Sequence, residues 1–296
     1  MKPIASKLKR NPILALLRPQ EWVKNAFVAA PVLLTPTVLD WDVAGTVALG
    51  ILAFSLVASA GYVLNDIFDR SADRQHPQKR DRPLASGAAS MPLAIVLIVL
   101  ALAGGFSLGV VLSTTFAALL LGYVVVMALY SALLKRLALV DISIITGGFL
   151  IRIYAGGELA EVTLSVWIVL ITGLLALFLA LGKRRDDLLQ EIGLDHRQSL
   201  GGYNLAFVDS ATNFVLGALL VGYMIYTTDD QVVARMQTDD LPWSVPFVLA
   251  GILRYLQVIH VYQRSGSPTK IALTDQPMVA IIIGWIAAMA YILYGQ

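Results

Sequence analysis

Apolar residues fall in runs of about 20 that recur from one end of this chain to the other, and the polar residues gather between them. The runs lie at 23–39, 43–64, 92–112, 114–134, 137–155, 164–182, 209–227, 243–262 and 278–294. About 20 residues is the length a helix needs to cross a bilayer. Backbone groups in lipid must satisfy their own hydrogen bonds, so each run is predicted to be a helix. The expected fold is all-α: a multi-pass membrane protein of about nine transmembrane helices around a polar cavity open to the cytoplasmic face. Residues 1–296 read as one integral membrane domain, with a cytoplasmic or interfacial segment at 1–22. Two connections are long, 65–91 and 183–208, and long loops on a compact scaffold are where function usually sits.

Composition agrees with the pattern. The chain is 57% hydrophobic and 14% charged, outside the range of soluble domains. The net charge of +2 says little, but its distribution says a great deal. One set of linkers holds Lys2, Lys7, Lys9, Arg10, Arg18 and Lys24, then Arg70, Arg74, Lys79, Arg80 and Arg82. Lys135, Arg136, 183–185, Arg197, Arg264 and Lys270 complete that set. The other set carries Asp40, Asp42, Glu158, Glu161, Asp229, Asp230, Asp239 and Asp240, with Arg235 as its one base. By the positive-inside rule the basic set and the N-terminus face the cytoplasm, and an odd number of spans puts Gln296 outside. Cysteine is absent, which excludes disulfides and thiolate metal sites. No cleavable leader is expected, because the apolar stretch 13–17 is short and Arg18 interrupts it. Trp22, Trp41, Trp167 and Trp243 lie near span ends, as interface anchors would.

The chemistry concentrates after the second run. Asp66, Asp69 and Asp73 share one face if that helix continues, and climb roughly 10 Å of its axis. A stripe of like charges needs compensation, and Mg2+ takes one or two carboxylates together with substrate phosphates and water. A Mg2+–diphosphate site at the membrane surface is the sharper reading; a solvated acidic helix end is the plainer one. Arg74, Lys79, Arg80 and Arg82 follow in the same loop, where bases could hold phosphate oxygens that a metal leaves free. Alone, such a loop is a topology signal or an anionic-lipid contact. His76, standing before Pro77, reads as a loop residue.

A second mixed cluster ends the sixth run. Lys183, Asp187, Glu191 and Asp195 recur every four residues and share a face if that helix continues, either as a functional cluster or as a solvated face. Arg152 and Arg254 stand inside apolar runs, where a guanidinium should face a polar cavity and pair with a phosphate or a carboxylate. Asp141, near the start of the fifth run, could belong to the same polar interior.

These residues resemble a known family. Nine runs, an N-D-x-x-D-x-x-x-D motif at 65–73 and a second polar loop after the sixth run are similar to the UbiA-type intramembrane prenyltransferase superfamily, over essentially the whole chain. Several segments resemble one branch of it, the decaprenyl-phosphate phosphoribosyltransferases (decaprenylphosphoryl-5-phosphoribose synthases). They are R-P-x-x-W-x-K-N at 18–25, the long aspartate–arginine run at 62–87, I-R-x-x-A-G-G at 151–157 and G-K-R at 182–184. L-R-Y at 253–255 and I-A-L-x-D at 271–275 add weaker matches. The superfamily's usual second spaced aspartate pair is missing: residues 183–187 read K-R-R-D-D, with Asp187 matching an acid of the phosphoribosyltransferase branch.

The resemblance implies 5-phosphoribosyl 1-diphosphate as donor, a long polyprenyl phosphate as acceptor and Mg2+ as cofactor, in a bacterial cytoplasmic (inner) membrane. It implies that Asp66, Asp69 and Asp73 hold the metal, with Asn65 supporting the nearest ligand. Lys24, Tyr62, Arg74, Lys79, Arg80, Arg82, Lys183 and Arg184 are then expected at the donor, and Asp187 at a second metal or a ribose hydroxyl. Lys135, Arg136 or Arg152 is expected to receive the lipid phosphate. In that branch the product feeds cell-wall glycan synthesis. Membrane lipids are the remaining expected partners; no nucleic acid is expected, and a homo-oligomer is left open. Two rival functions fit parts of the pattern. Prenyl transfer from a prenyl diphosphate to an aromatic or lipid acceptor suits the aspartates but not the second cluster. A carrier or lipid-binding protein suits Arg152 but gives no reason for acids to bunch at the membrane surface.

Overall fold

The computed structural model describes residues 11–35, 40–75, 79–190, 198–263 and 268–295. Lys2, Lys7, Lys9, Arg10, His76, Pro77, Glu191, Asp195, Arg197, Arg264 and Gln296 lie outside the described residues.

The chain opens with α1 (Pro12–Leu17), an 11-residue 3-10 segment (Pro19–Ala29) and α2 (Ala30–Leu33). Then come α3 (Trp41–Phe68), α4 (Arg70–Gln75), α5 (Pro83–Ser86), α6 (Met91–Leu112) and α7 (Thr114–Ala132). The second half holds α8 (Val140–Leu159), α9 (Val166–Leu189), α10 (Leu205–Thr228), α11 (Asp230–Met236), α12 (Val245–Leu256), α13 (Pro268–Thr274) and α14 (Gln276–Tyr294). Short polar side chains start most of the long helices by accepting from the first free backbone N–H groups: Asp40 to Val43, Ser113 to Phe116, Ser165 to Ile168, Asn204 to Phe207 and Asp275 to Met278.

Among the described residues eight helices are long and apolar enough to cross a membrane: α3, α6, α7, α8, α9, α10, the stretch Leu241–Val261 around α12, and α14. The expected first span, 23–39, is not among them. Its described part is the 3-10 segment followed by α2, and it still runs the height of the bundle. Arg18 meets Asp66 at the end of α3, whereas Leu34 and Thr35 lie against Val162–Ser165 beyond the far end of α8. Eleven residues at about 2 Å each supply most of that length. Pro31 cannot donate the α-type bond to the Phe27 carbonyl, and three tertiary hooks hold the path. Trp22 Nε1 donates to Ser59 Oγ (3.0 Å), Asn25 Nδ2 donates to Ser55 Oγ (2.8 Å), and Ser59 Oγ donates to Leu17 O (2.8 Å). Trp22 is thus an internal tie, while Trp41 and Trp243 remain exposed. Gly156 of α8 lets the two backbones touch: a Cβ there would lie 1.9 Å from the Val28 carbonyl oxygen.

The centre of the bundle is α3 and α8. Their apolar stretches are 56% and 50% buried, against 17% for α6 and α14, whose exposed aliphatic side chains form the lipid-facing surface. One core joins α3, α7 and α8 through Phe54, Val57, Phe116, Leu120 and Ala155. A second joins α9, α10 and the π-helical turn after α12 through Phe178, Leu181, Val215, Val258 and Ile259. Alternating helix directions bring the ends of α3, α7, α9 and α12, and the starts of α8, α10 and α14, to one end of the bundle. The connection after α3 and the one after α9 both lie there.

Candidate functional site at the aspartate end of the bundle

The aspartate stripe is not one continuous helix. α3 stops at Phe68, Asp69 caps it, and α4 begins at Arg70. Each of the three carboxylates meets a cation, and one cation is shared. Arg18 Nη2 donates to Asp66 Oδ1 at 2.5 Å. Arg82 Nη1 lies between two carboxylates, 3.1 Å from Asp66 Oδ1 and 2.8 Å from Asp73 Oδ2. Lys135 Nζ pairs with Asp69 and reaches Asn65 Oδ1 at 3.4 Å, while Asn65 Nδ2 donates to Asp69 Oδ2 at 2.9 Å. Asp66 is only 2% exposed, and its second oxygen, Oδ2, has no hydrogen-bond partner.

The loop after α4 is folded against this cluster by its own arginines. Arg70 Nε donates to Leu84 O and Arg74 Nε to Ala85 O, each at 3.1 Å. Arg74 is therefore a loop tie in this arrangement. Arg80 is exposed and Lys79 half-buried. Lys24 is half-exposed and pairs with Glu21 at 2.5 Å. Tyr62, one turn before Asp66, lies under the Arg18 guanidinium, 5.5 Å from its ring centroid.

The second cluster is closed. Arg184 and Asp141 are wholly buried, and Arg184 Nε donates to Asp141 Oδ2 at 2.9 Å. Its Nη1 donates to Asp187 Oδ2 at 2.7 Å, and its Nη2 is buried without a partner. Asp141 also accepts from Ser199 Oγ (3.0 Å), Tyr203 OH (2.7 Å) and the Ile142 N–H (2.9 Å). Burial, with the hydrogen bond to Asp141, pushes the Tyr203 phenol up to about 12. Lys183, on the same helix, is exposed.

Arg152 departs from expectation. Among the described residues it meets no carboxylate: its acceptors are Asn25 Oδ1 (2.8 Å), Gly148 O (2.7 Å) and Tyr123 OH (3.2 Å). The rings of Phe54, Tyr123 and Phe149 lie 4.7 to 5.5 Å from its guanidinium. Three neutral oxygens and three ring faces surround this charge. Through Asn25 it sits level with Ser55, eleven residues before Asp66 and about 16 Å along the α3 axis. Lys135 and Arg136, by contrast, stand at the aspartate level, and Arg136 is exposed. Arg254 found the carboxylate: it grips Asp275 with Nε and Nη2, both at 2.9 Å, which joins the L-R-Y and I-A-L-x-D segments in one ion pair.

Two participants were not among the expected site residues. Arg18 lay inside a recognised segment, yet nothing in the sequence announces its left-handed backbone (φ 50°, ψ 59°) immediately before a proline, where extended geometry is usual. Asp141 was expected in the polar interior, but its full enclosure depends on the distant residues Ser199 and Tyr203.

The aspartate cluster suits a hard divalent cation. It offers oxygen donors, one buried carboxylate oxygen is unpartnered, and the Arg82 Nη1 cation already lies where Asp66 and Asp73 converge. No compact group of three or more metal-ligating side chains is present among the described residues, so phosphate and water oxygens would have to complete the shell. Paired acids and bases at one end of an apolar helical bundle are the arrangement that an intramembrane enzyme for an anionic substrate needs. The sequence profile of the UbiA prenyltransferase family matches residues 26–273, and the chain belongs to that family. A decaprenyl-phosphate phosphoribosyltransferase from Mycolicibacterium smegmatis is 32% identical over 295 residues, spanning 95% of this chain and 92% of that protein. One from Mycobacterium tuberculosis is 31% identical, spanning 94% and 92%. A UbiA homolog from Archaeoglobus fulgidus, solved bound to DMAPP and Mg2+, shares the fold with a TM-score of 0.70 at 18% identity, over 96% of this chain and 99% of that one.

Proposed function

We propose that this enzyme transfers the 5-phosphoribosyl group of 5-phosphoribosyl 1-diphosphate to a polyprenyl phosphate of the decaprenyl type and releases diphosphate. The observation that carries the reading is the convergence of Asp66 and Asp73 on one cationic centre, ringed by Arg18 and Lys135, at the head of lipid-facing helices. The named activity of relatives about 30% identical over nearly the whole chain supports the same substrates. Charge asymmetry supports a cytoplasmic location for this end, where a soluble donor is available, in the bacterial inner membrane.

Asp66, Asp69 and Asp73 would hold Mg2+, with Asn65 orienting Asp69. Bound there, Mg2+ would offset the charge of the departing diphosphate. Arg82, Arg80, Lys79, Lys24 and Lys183 supply the donor's remaining phosphate contacts, with Arg184 as the buried base beneath them. Asp187, turned toward Arg184, fixes that guanidinium and borders the ribose. Lys135 and Arg136 take the lipid phosphate, because Arg152 lies too deep to reach a donor at Asp66. An oxygen of the lipid phosphate attacks the anomeric carbon as the bond to diphosphate breaks. A phosphate monoester is already anionic near neutral pH, so the residues need only position the two substrates.

The test supplies purified enzyme with Mg2+, polyprenyl phosphate and either labelled 5-phosphoribosyl 1-diphosphate or labelled prenyl diphosphate. Label entering lipid from the first donor is the expected result. Label from the second would make it a prenyl transferase, and from neither, a carrier.

A further inference from the structure

Asp66, Asp69 and Asp73 carry three negative charges, and Arg18, Arg82 and Lys135, in direct contact, carry three positive ones. The cluster is balanced before any metal enters. A divalent ion added alone would leave two positive charges uncompensated around a carboxylate that is 2% exposed, an unfavourable place for them. It would also compete with Arg82 Nη1 for the space between Asp66 and Asp73. A diphosphate arriving with the metal supplies the missing negative charge and new acceptors for the displaced guanidiniums.

We propose that Arg18 and Arg82 are resident counter-ions that a divalent ion must displace from the aspartates, and that they then pass to the donor's diphosphate. Metal and diphosphate thus enter as one unit, and neither binds well alone. This rests on the reading of the three aspartates as metal ligands. The two arginines are suited to the exchange. Their side chains are 19% and 26% exposed, so each can turn toward solvent and an incoming anion without unpacking the bundle. The Arg18 backbone is held in the left-handed region while its side chain spans Asp66 and the Tyr62 ring. The closed Arg184 cluster offers no such exchange, since the Arg184 guanidinium has no exposed side from which to leave Asp141.

The experiment titrates Mn2+ into the full chain in nanodiscs, with bound ion read by electron paramagnetic resonance, with and without inorganic pyrophosphate. A protein-free titration accounts for complexes formed in solution. Pyrophosphate should tighten Mn2+ binding about tenfold or more, in the range of ordinary coupling between sites, and by reciprocity Mn2+ should tighten pyrophosphate equally. The R18Q variant should bind Mn2+ several-fold more tightly without pyrophosphate and show weaker coupling. Equal Mn2+ affinity with and without pyrophosphate in the unmodified chain overturns the exchange but leaves the metal ligands standing. Absence of Mn2+ binding in both conditions overturns the ligand reading together with the exchange. An R18Q variant that matches the unmodified chain in both measurements removes Arg18 from the mechanism.

Discussion

Asp66 and Asp141 stand at the same end of one bundle, each almost fully buried and each bonded to arginine, yet their surroundings differ in kind. Asp141 accepts four hydrogen bonds, from Arg184, Ser199, Tyr203 and the Ile142 N–H, and its arginine has no exposed atoms. Asp66 shares one oxygen between two partly exposed arginines and leaves the other oxygen unpartnered. The same residue types therefore serve two ends: a satisfied buried pair locks helices together, whereas an under-satisfied one keeps donors ready for exchange.

The comparison breaks most sharply on activity. Asp66→Ala or Asp69→Ala should lower phosphoribosyl transfer at least about a hundredfold, in line with losing a metal ligand or its support, while membrane insertion persists. Near-normal turnover in both would remove the metal assignment. The reverse pattern is expected at the closed cluster: Asp141→Ala should cost about 3–5 kcal/mol of stability by leaving buried Arg184 with Asp187 alone and depriving Ser199 and Tyr203 of their acceptor, seen as a lower melting temperature in detergent. Asp66→Ala should shift that melting temperature much less, because Arg18 and Arg82 can turn to water. Gly156→Val should cost about 1–3 kcal/mol and also reduce activity, since pushing the Val28 carbonyl away displaces the segment that carries Arg18. The smallest effect lies at the opposite end. The Trp167 Nε1–H donated to Asp229 holds that carboxyl below its ordinary range. Its contribution is present above the ordinary carboxylate pKa and fades as pH falls through the lowered one. Trp167→Phe should therefore flatten the acid limb of a melting-temperature profile slightly.

What the sequence could and could not tell follows from the reach of each signal. Long apolar runs report lipid-crossing helices directly, and α3, α6 to α10 and α14 answer to them. The same signal misreads 23–39, because hydropathy is blind to whether an apolar crossing is α or 3-10. That choice rests on Pro31 and on Ser55 and Ser59 of another helix. Spacing put the three aspartates together, but the break at Asp69, which sends it to Lys135 rather than Arg82, depends on contacts 66 residues apart. Arg254 and Asp275 stand in separate, weakly matching segments of the sequence, and only the fold shows that they are one pair. Arg152 illustrates the remaining gap: a buried cation predicts some partner, and among the described residues neutral oxygens and aromatic faces stand where a carboxylate was one of two expected partners.

The 3-10 crossing also has a consequence for length. Each residue in that form rises about 0.5 Å more than in an α-helix, so its eleven residues hold roughly 5 Å of slack, close to one full turn. Rewinding the stretch would draw Arg18 away from Asp66 by about that amount, at the cost of the Trp22–Ser59 and Asn25–Ser55 hydrogen bonds. Substitutions that favour the α form between Pro19 and Ala29 would thus act on the aspartates from a distance, by shortening the tether on which their first counter-charge is carried.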